Sequence, residues 1–155
     1  MTSVRAARRV VLPPDDAEAL WLDVSRWATF IEGFGHAVSK DEAWPAQGST
    51  LVWESLPGGR GTVQEKVTAS AARHVSTRLV EESLHGVQTV TFEPDGEGGS
   101  IVELSLEYEL NPTTIWRQGP IGWVTNLLFI RRAMTDALAR TLRRFATEAA
   151  EQQAL

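Results

Sequence analysis

Three features of this sequence predict an α+β fold in which a curved antiparallel sheet of about seven strands surrounds one long C-terminal helix. The first is the alternation from Ile101 to Leu110. Val102, Leu104, Leu106, Tyr108 and Leu110 share one side, while Glu103, Ser105, Glu107 and Glu109 share the other, as in a strand buried on one face. The second is the stripe Trp123, Leu127, Ile130, Met134, Leu138, Phe145 and Ala149, with Thr141 completing it. Its steps of three and four predict an amphipathic helix of about thirty residues. The third is a series of short strand-like segments punctuated by glycine-rich turns, the spacing of a meander.

The elements follow in order. Val4 to Leu12 reads as the first strand; Pro13-Pro14 stops it, and Asp15-Asp16 suit the positive end of a helix carrying Ala17, Leu20, Trp21 and Val24. Ser25 is placed to cap a second short helix containing Trp27, Phe30 and Ile31, so two short helices separate strands 1 and 2. Gly33 and Gly35 break that pattern. Strands are then predicted over 36–41, 50–56, 61–69, 73–83 and 87–93. Pro57-Gly58-Gly59 and the run 95–99 have the chemistry of hairpin tips, where glycine supplies positive φ.

At 155 residues and 43% hydrophobic content, the chain is expected to form one domain, 1–155, with a proper core. A net charge of −5 and a pI near 5.2 argue against nucleic acid as a partner. Without cysteine there is no disulfide framework, thiolate nucleophile or thiolate metal site. The first eleven residues lack the apolar core of a signal peptide, so a cytoplasmic location is the expectation. The apolar stretch Ile121 to Ile130 is interrupted by Thr125 and Asn126 and stops at Arg131, too short to span a bilayer.

Leu12-Pro13-Pro14 with Leu20-Trp21, Asp23-Val24-Ser25-Arg26-Trp27, Gly48-Ser49 and Gly98-Gly99-Ser100 together resemble segments of the START-related helix-grip superfamily (SRPBCC), in its polyketide cyclase/dehydrase-like or lipid-transport-like branch. The resemblance covers nearly the whole chain. It implies a helix-grip fold and a ligand cavity; none of these segments is a catalytic motif.

A twisted sheet of this width cannot be filled on its concave side by one helix, so a cavity is expected there. Strand parity turns Leu51, Trp53, Ser55, Val63, Glu65, Val67, Val75, Thr77, Leu79, Val90, Phe92, Leu104, Leu106 and Tyr108 inward. From these and the helix stripe, the predicted ligand contacts are Trp53, Val63, Thr77, Val90, Phe92, Leu104, Leu106, Trp123, Leu127 and Met134, an apolar and aromatic lining suited to a hydrophobic or polycyclic small molecule. Glu65, between Val63 and Val67, is the sharpest candidate for chemistry. A buried carboxyl holds its proton to higher pH and can act as acid or base. Tyr108 is read as a second catalytic candidate, and Arg8 as a third, able to pair with Glu65 or hold a ligand oxygen. The alternative for Glu65 is a strand end or a bulge facing water.

Other motifs carry less. His36, His74 and His85 have no metal-ligand spacing, and neither a metal nor a cofactor is predicted. Gly58-Gly59-Arg60-Gly61 precedes a strand, whereas a phosphate-binding loop opens a helix. Arg131, Arg132, Arg140, Arg143 and Arg144 make the helix basic, with Asp136 and Glu148 spaced for compensating intrahelical pairs. Trp44 and Trp116 lie beside prolines or loops, and Ile115 to Trp123 is read as a lid. Three functions stay open: a carrier or sensor of a hydrophobic molecule; a polyketide cyclase/dehydratase-type enzyme; and an interaction module using exposed tryptophan and the arginine-rich helix. A homodimer stays open as well.

Overall fold

The computed structural model describes the backbone of residues 1–111 and 119–155 and the side chains of 1–111 and 127–155. Its strands are β1 (Thr2–Val10), β2 (Phe34–Lys40), β3 (Thr50–Ser55), β4 (Thr62–Ala71), β5 (His74–Val80), β6 (Leu84–Pro94) and β7 (Ser100–Leu110). They form one seven-stranded antiparallel sheet in the order β1-β7-β6-β5-β4-β3-β2, so the meander from β2 to β7 is closed at its far edge by the first strand.

Helix α1 (Pro14–Leu22) starts on Pro14, whose fixed φ and missing N–H suit the first turn, with Asp15 and Asp16 at the positive end of the dipole. A 3₁₀ turn, Val24–Arg26, leads into α2 (Trp27–Phe30). The cap of that turn is Asp23, not Ser25. Asp23 Oδ1 accepts the Ser25 backbone N–H at 3.1 Å and the Ser25 hydroxyl at 2.6 Å. The long helix α3 runs from Gly119 to Ala154.

Some expected boundaries shift. β1 ends at Val10, because Leu12 leaves the ladder and its carbonyl accepts the Ser100 hydroxyl at 2.6 Å. β5 ends at Val80, where Glu81 N–H closes a turn onto Leu84 O at 3.0 Å. His85, between the strands predicted over 73–83 and 87–93, lies in β6 opposite Val80 and Glu109. Gly86 faces Tyr108 across the ladder. A Cβ there would lie 2.2 Å from the Glu107 carbonyl oxygen, so β6 and β7 can pair this closely only around glycine.

The inward parity of the strands holds, with each named residue from Leu51 to Tyr108 buried except Ser55, which is half-buried at the end of β3. Against this face, Phe145 of α3 packs edge-on to Trp21 of α1 and Phe30 of α2, at centroid separations of 5.2 and 5.0 Å. Such pairs contribute about 0.5–1.5 kcal/mol each beyond burial, and this trio fixes both short helices to the long one. Burial along α3 is graded. Leu138, Leu142, Phe145 and Ala149 are buried, while Leu127, Ile130 and Met134 are half-buried. The C-terminal half thus packs on the core, and the preceding turns roof a space.

Two of the helix arginines, and the acid Glu148 expected to pair within the helix, find partners on other elements. Glu148 binds Arg26, and Glu32 pairs with Arg140 Nε at 3.2 Å and with Arg144 Nη1 at 2.9 Å. Trp44 is packed edge-on against Trp27 and donates its indole N–H to Leu22 O at 3.2 Å, so it is not an exposed docking residue. Trp116, Trp123 and the suggested lid lie outside the described side chains. Among the described residues no helix is long and apolar enough to cross a membrane.

Candidate functional site

Between the concave face of the sheet and α3 lies a cavity of about 440 Å³. Its floor includes Trp53, Leu79, Leu104 and Leu106 from the sheet, and its roof includes Met134 and Leu138 from the helix. Most of this lining is hydrocarbon. Polar groups concentrate at the end formed by the β3–β4 hairpin and the β5–β6 turn, with a second set at Glu32 and Thr141 where α2 meets α3.

Glu65 lies at the first of these ends. Only 3% exposed, it faces the cavity from β4. The indole N–H of Trp53 donates to Glu65 Oε2 at 2.7 Å, and the Thr77 hydroxyl lies 3.2 Å from Oε1. Burial pushes the Glu65 carboxyl above its usual range. The hydrogen bonds from Trp53 and Thr77 and the nearby Arg60 oppose that rise, and Glu81 adds to it. Behind Glu65 a second pocket of about 10 Å³, bordered by Trp21, Trp44, Thr77 and Gln88, matches a single water in size.

Two charged residues at this end escape the sequence reading. Arg60 Nε donates to the nearly buried Glu81 carboxylate at 2.5 Å, and its guanidinium carbon sits 5.1 Å from the centre of the Trp53 ring. In the sequence Arg60 belongs to the glycine-rich run Gly58-Gly59-Arg60-Gly61. With Gly61 at φ +77° between it and β4, strand parity does not extend to its side chain. Glu81 had a usable signal, since it continues the inward series Val75, Thr77, Leu79. Gln88, two residues before Val90, had the same one.

The predicted ligand contacts divide. Trp53, Leu104, Leu106 and Met134 line the cavity with Glu65. Thr77 and Val90 border the smaller pocket behind it. Val63 and Phe92 are fully buried core residues away from the lining; Leu127 is half-buried and also outside it, and Trp123 is not described. Tyr108 is buried on β7, outside the cavity, where loss of solvent pushes its hydroxyl pKa up against the opposing charge of Arg131. Arg8 is exposed on the edge strand β1. β7, β6 and β5 stand between it and Glu65, which corrects the expected pairing. Among the described residues no cluster has the acid or histidine groups to hold a metal.

A sheet gripping one long helix over an interior cavity defines the helix-grip class of fold. The family described as polyketide cyclase / dehydrase and lipid transport matches residues 1–150, and the chain belongs to that family. Three solved structures share the fold. The di-domain aromatase/cyclase StfQ of the steffimycin biosynthetic pathway aligns with a TM-score of 0.77 at 14% identity, over 99% of this chain and 52% of that one. This chain therefore spans about half of that protein. The Zhui aromatase/cyclase of Streptomyces sp. R1128 aligns with a TM-score of 0.74 at 13% identity, over 97% and 94% of the two chains. A point mutant of norcoclaurine synthase from Thalictrum flavum, in complex with a transition-state analogue, gives 0.64 at 16% identity over 98% and 96%. Among curated protein sequences none matches.

Proposed function

We propose that this protein binds one hydrophobic or polycyclic small molecule in the cavity between sheet and helix, as a carrier, sensor or cyclase-like protein of the cytoplasm. The observation that carries this reading is the cavity itself. Its volume of about 440 Å³ falls in the range of small-molecule sites, and its lining is apolar apart from a few grouped polar side chains. Each ligand methylene moved from water into it contributes about 0.8 kcal/mol, so binding needs no reactive group. The family and the cyclase folds it resembles support the same ligand class. Native mass spectrometry of freshly purified protein is the test. A co-purifying small molecule of defined mass is expected, and a chain that is empty and takes up no apolar probe contradicts the proposal.

A second reading, catalysis of a cyclase or dehydratase type, is favoured by Glu65. A buried carboxyl that holds its proton above the usual carboxylate range can give it to a ligand carbonyl oxygen as a carbon–carbon bond forms, and recover the proton that the attacking carbon loses. Tyr108 is buried on β7 without lining the cavity, so this reading is built on Glu65. Glu65→Gln separates the two: it leaves ligand affinity within a few-fold in a carrier, and lowers turnover by about 10²-fold or more in an enzyme.

A further inference from the structure

We propose that the outer face of α3 is a self-complementary dimer seam, against which a second copy of this chain packs its own α3, antiparallel, about a two-fold axis. The proposal is independent of the ligand-binding reading and gives a partner to a surface that reading does not use.

The face is defined by what the helix leaves uncovered. Leu138, Leu142, Phe145 and Ala149 hold α3 to the core, whereas Leu128 is 64% exposed and Phe129 is 70% exposed. Arg132, Ala133, Asp136, Ala139 and Arg143 are exposed with them. At about 100° per residue, all seven fall within one arc of about 140°, on the side away from the core stripe. Within that arc Phe129, Arg132, Asp136, Ala139 and Arg143 follow one another by alternating steps of three and four, the spacing of a coiled-coil seam. The helix therefore carries two stripes, and the sheet accounts for one of them.

The composition of the second stripe selects its occupant. A two-fold axis level with the midpoint between Arg132 and Asp136 sets each residue beside the one equally far along in the other direction. Arg132 then meets Asp136 of the partner subunit, and Phe129 meets Ala139 of the partner subunit, each contact occurring twice. Opposite charges are matched, and each large ring lies beside a small side chain. Among the described residues neither Arg132 nor Asp136 has an ion-pair partner. They stand four apart with the cation first, the less favourable order for pairing along one helix. Two copies turn these unpaired charges into two pairs between helices. Leu128 and Ala133, on either flank of the seam, widen its apolar contact. An anionic bilayer fits this face less well, because Asp136 stands in its middle and the chain carries a net charge of −5.

Sedimentation velocity of the full chain from about 1 µM to about 500 µM is the test, since an interface at the small end of the size range dissociates within such concentrations. The wild type is expected to move from 17.1 kDa toward twice that mass as concentration rises. Phe129→Asp, Arg132→Asp and Asp136→Arg are each expected to raise the dissociation constant about 10-fold or more, by burying a charge or setting like charges together. The double variant Arg132→Asp/Asp136→Arg exchanges the two charges at constant net charge, and it is expected to return the constant to within about 3-fold of wild type. All three positions are exposed, so thermal melts followed by circular dichroism should match wild type and separate loss of the seam from loss of the fold. A wild type that stays monomeric across the range overturns the proposal, and co-sedimentation of that monomer with phosphatidylserine vesicles would give the face to a lipid surface instead. A dimer that tolerates the single changes, or that the double variant fails to restore, overturns it as well.

Discussion

Replacing Glu65 by glutamine is expected to change the pH dependence of stability in a direction set by burial alone. The folded protein binds the Glu65 proton more tightly than the unfolded chain, where the ordinary Glu value is about 4.3. Between those two pKa values the folded state holds one proton more than the unfolded state, so wild-type stability from this group is fully present below the unfolded value and is lost as pH rises through the folded one. The slope reaches about 1.4 kcal/mol per pH unit within that window. Glutamine removes the titration but keeps an acceptor for Trp53 and a donor for Thr77. At pH 4, below the window, the variant should lie within about 1 kcal/mol of wild type. Its relative stability should then climb with pH, by about 3–5 °C in Tm per pH unit for a domain of this size. Urea unfolding of both proteins from pH 4 to 8 gives the difference curve, in which the other titrating groups cancel. A flat difference curve would refute the argument, and so would a falling one, because either means that the ionised carboxylate is as well accommodated as the acid.

Four further outcomes are expected. Phe145→Ala, which opens the aromatic contact with Trp21 and Phe30, should cost about 3–5 kcal/mol in denaturant unfolding. Gly86→Ala should abolish cooperative folding or lower Tm steeply, since the added carbon meets backbone of β7, whereas Gly96→Ala, in open space at φ +84°, should cost only about 1 kcal/mol. Asp95 is held below the usual carboxylate range by the backbone N–H of Glu97, Arg9 and the backbone N–H of Gly99, against an opposing contribution from burial. Its contribution is present above the unfolded pKa and lost as pH falls through the folded one, so Asp95→Asn should lower Tm at pH 7 and much less at pH 2.5. Glu81→Gln removes a negative charge that favours the protonated form of Glu65 and leaves Arg60 without its carboxylate. The difference curve between Glu81→Gln and the double variant Glu81→Gln/Glu65→Gln should therefore level off at a lower pH than the one between wild type and Glu65→Gln, read from the same urea titration.

Strand periodicity belongs to the chain itself. A side chain two positions from a buried one points the same way, so Val63, Glu65 and Val67, or Leu104, Leu106 and Tyr108, could be turned inward from sequence. The helix stripe through Leu138, Phe145 and Ala149 was legible for the same local reason. So was the order of elements that gives the helix-grip fold.

What tertiary structure decided lies between elements. Parity turned Tyr108 and Trp53 to the same side of the sheet, but the cavity takes in Trp53 and leaves Tyr108 packed outside it. Arg8 is carried to the edge because β1 pairs with β7, a neighbour nearly a hundred residues away, with Thr2 opposite Tyr108. Arg60 reaches Trp53 through a positive-φ glycine that ends the strand's alternation, and Glu32 finds Arg140 and Arg144 only once α3 has crossed the short helices. The sequence by itself determined which faces are apolar and that Glu65 turns inward, because those follow from backbone geometry within one segment. The fold alone decided which polar groups surround that carboxyl and where the cavity ends, because contacts between distant segments are set by packing and not by the period of any one of them.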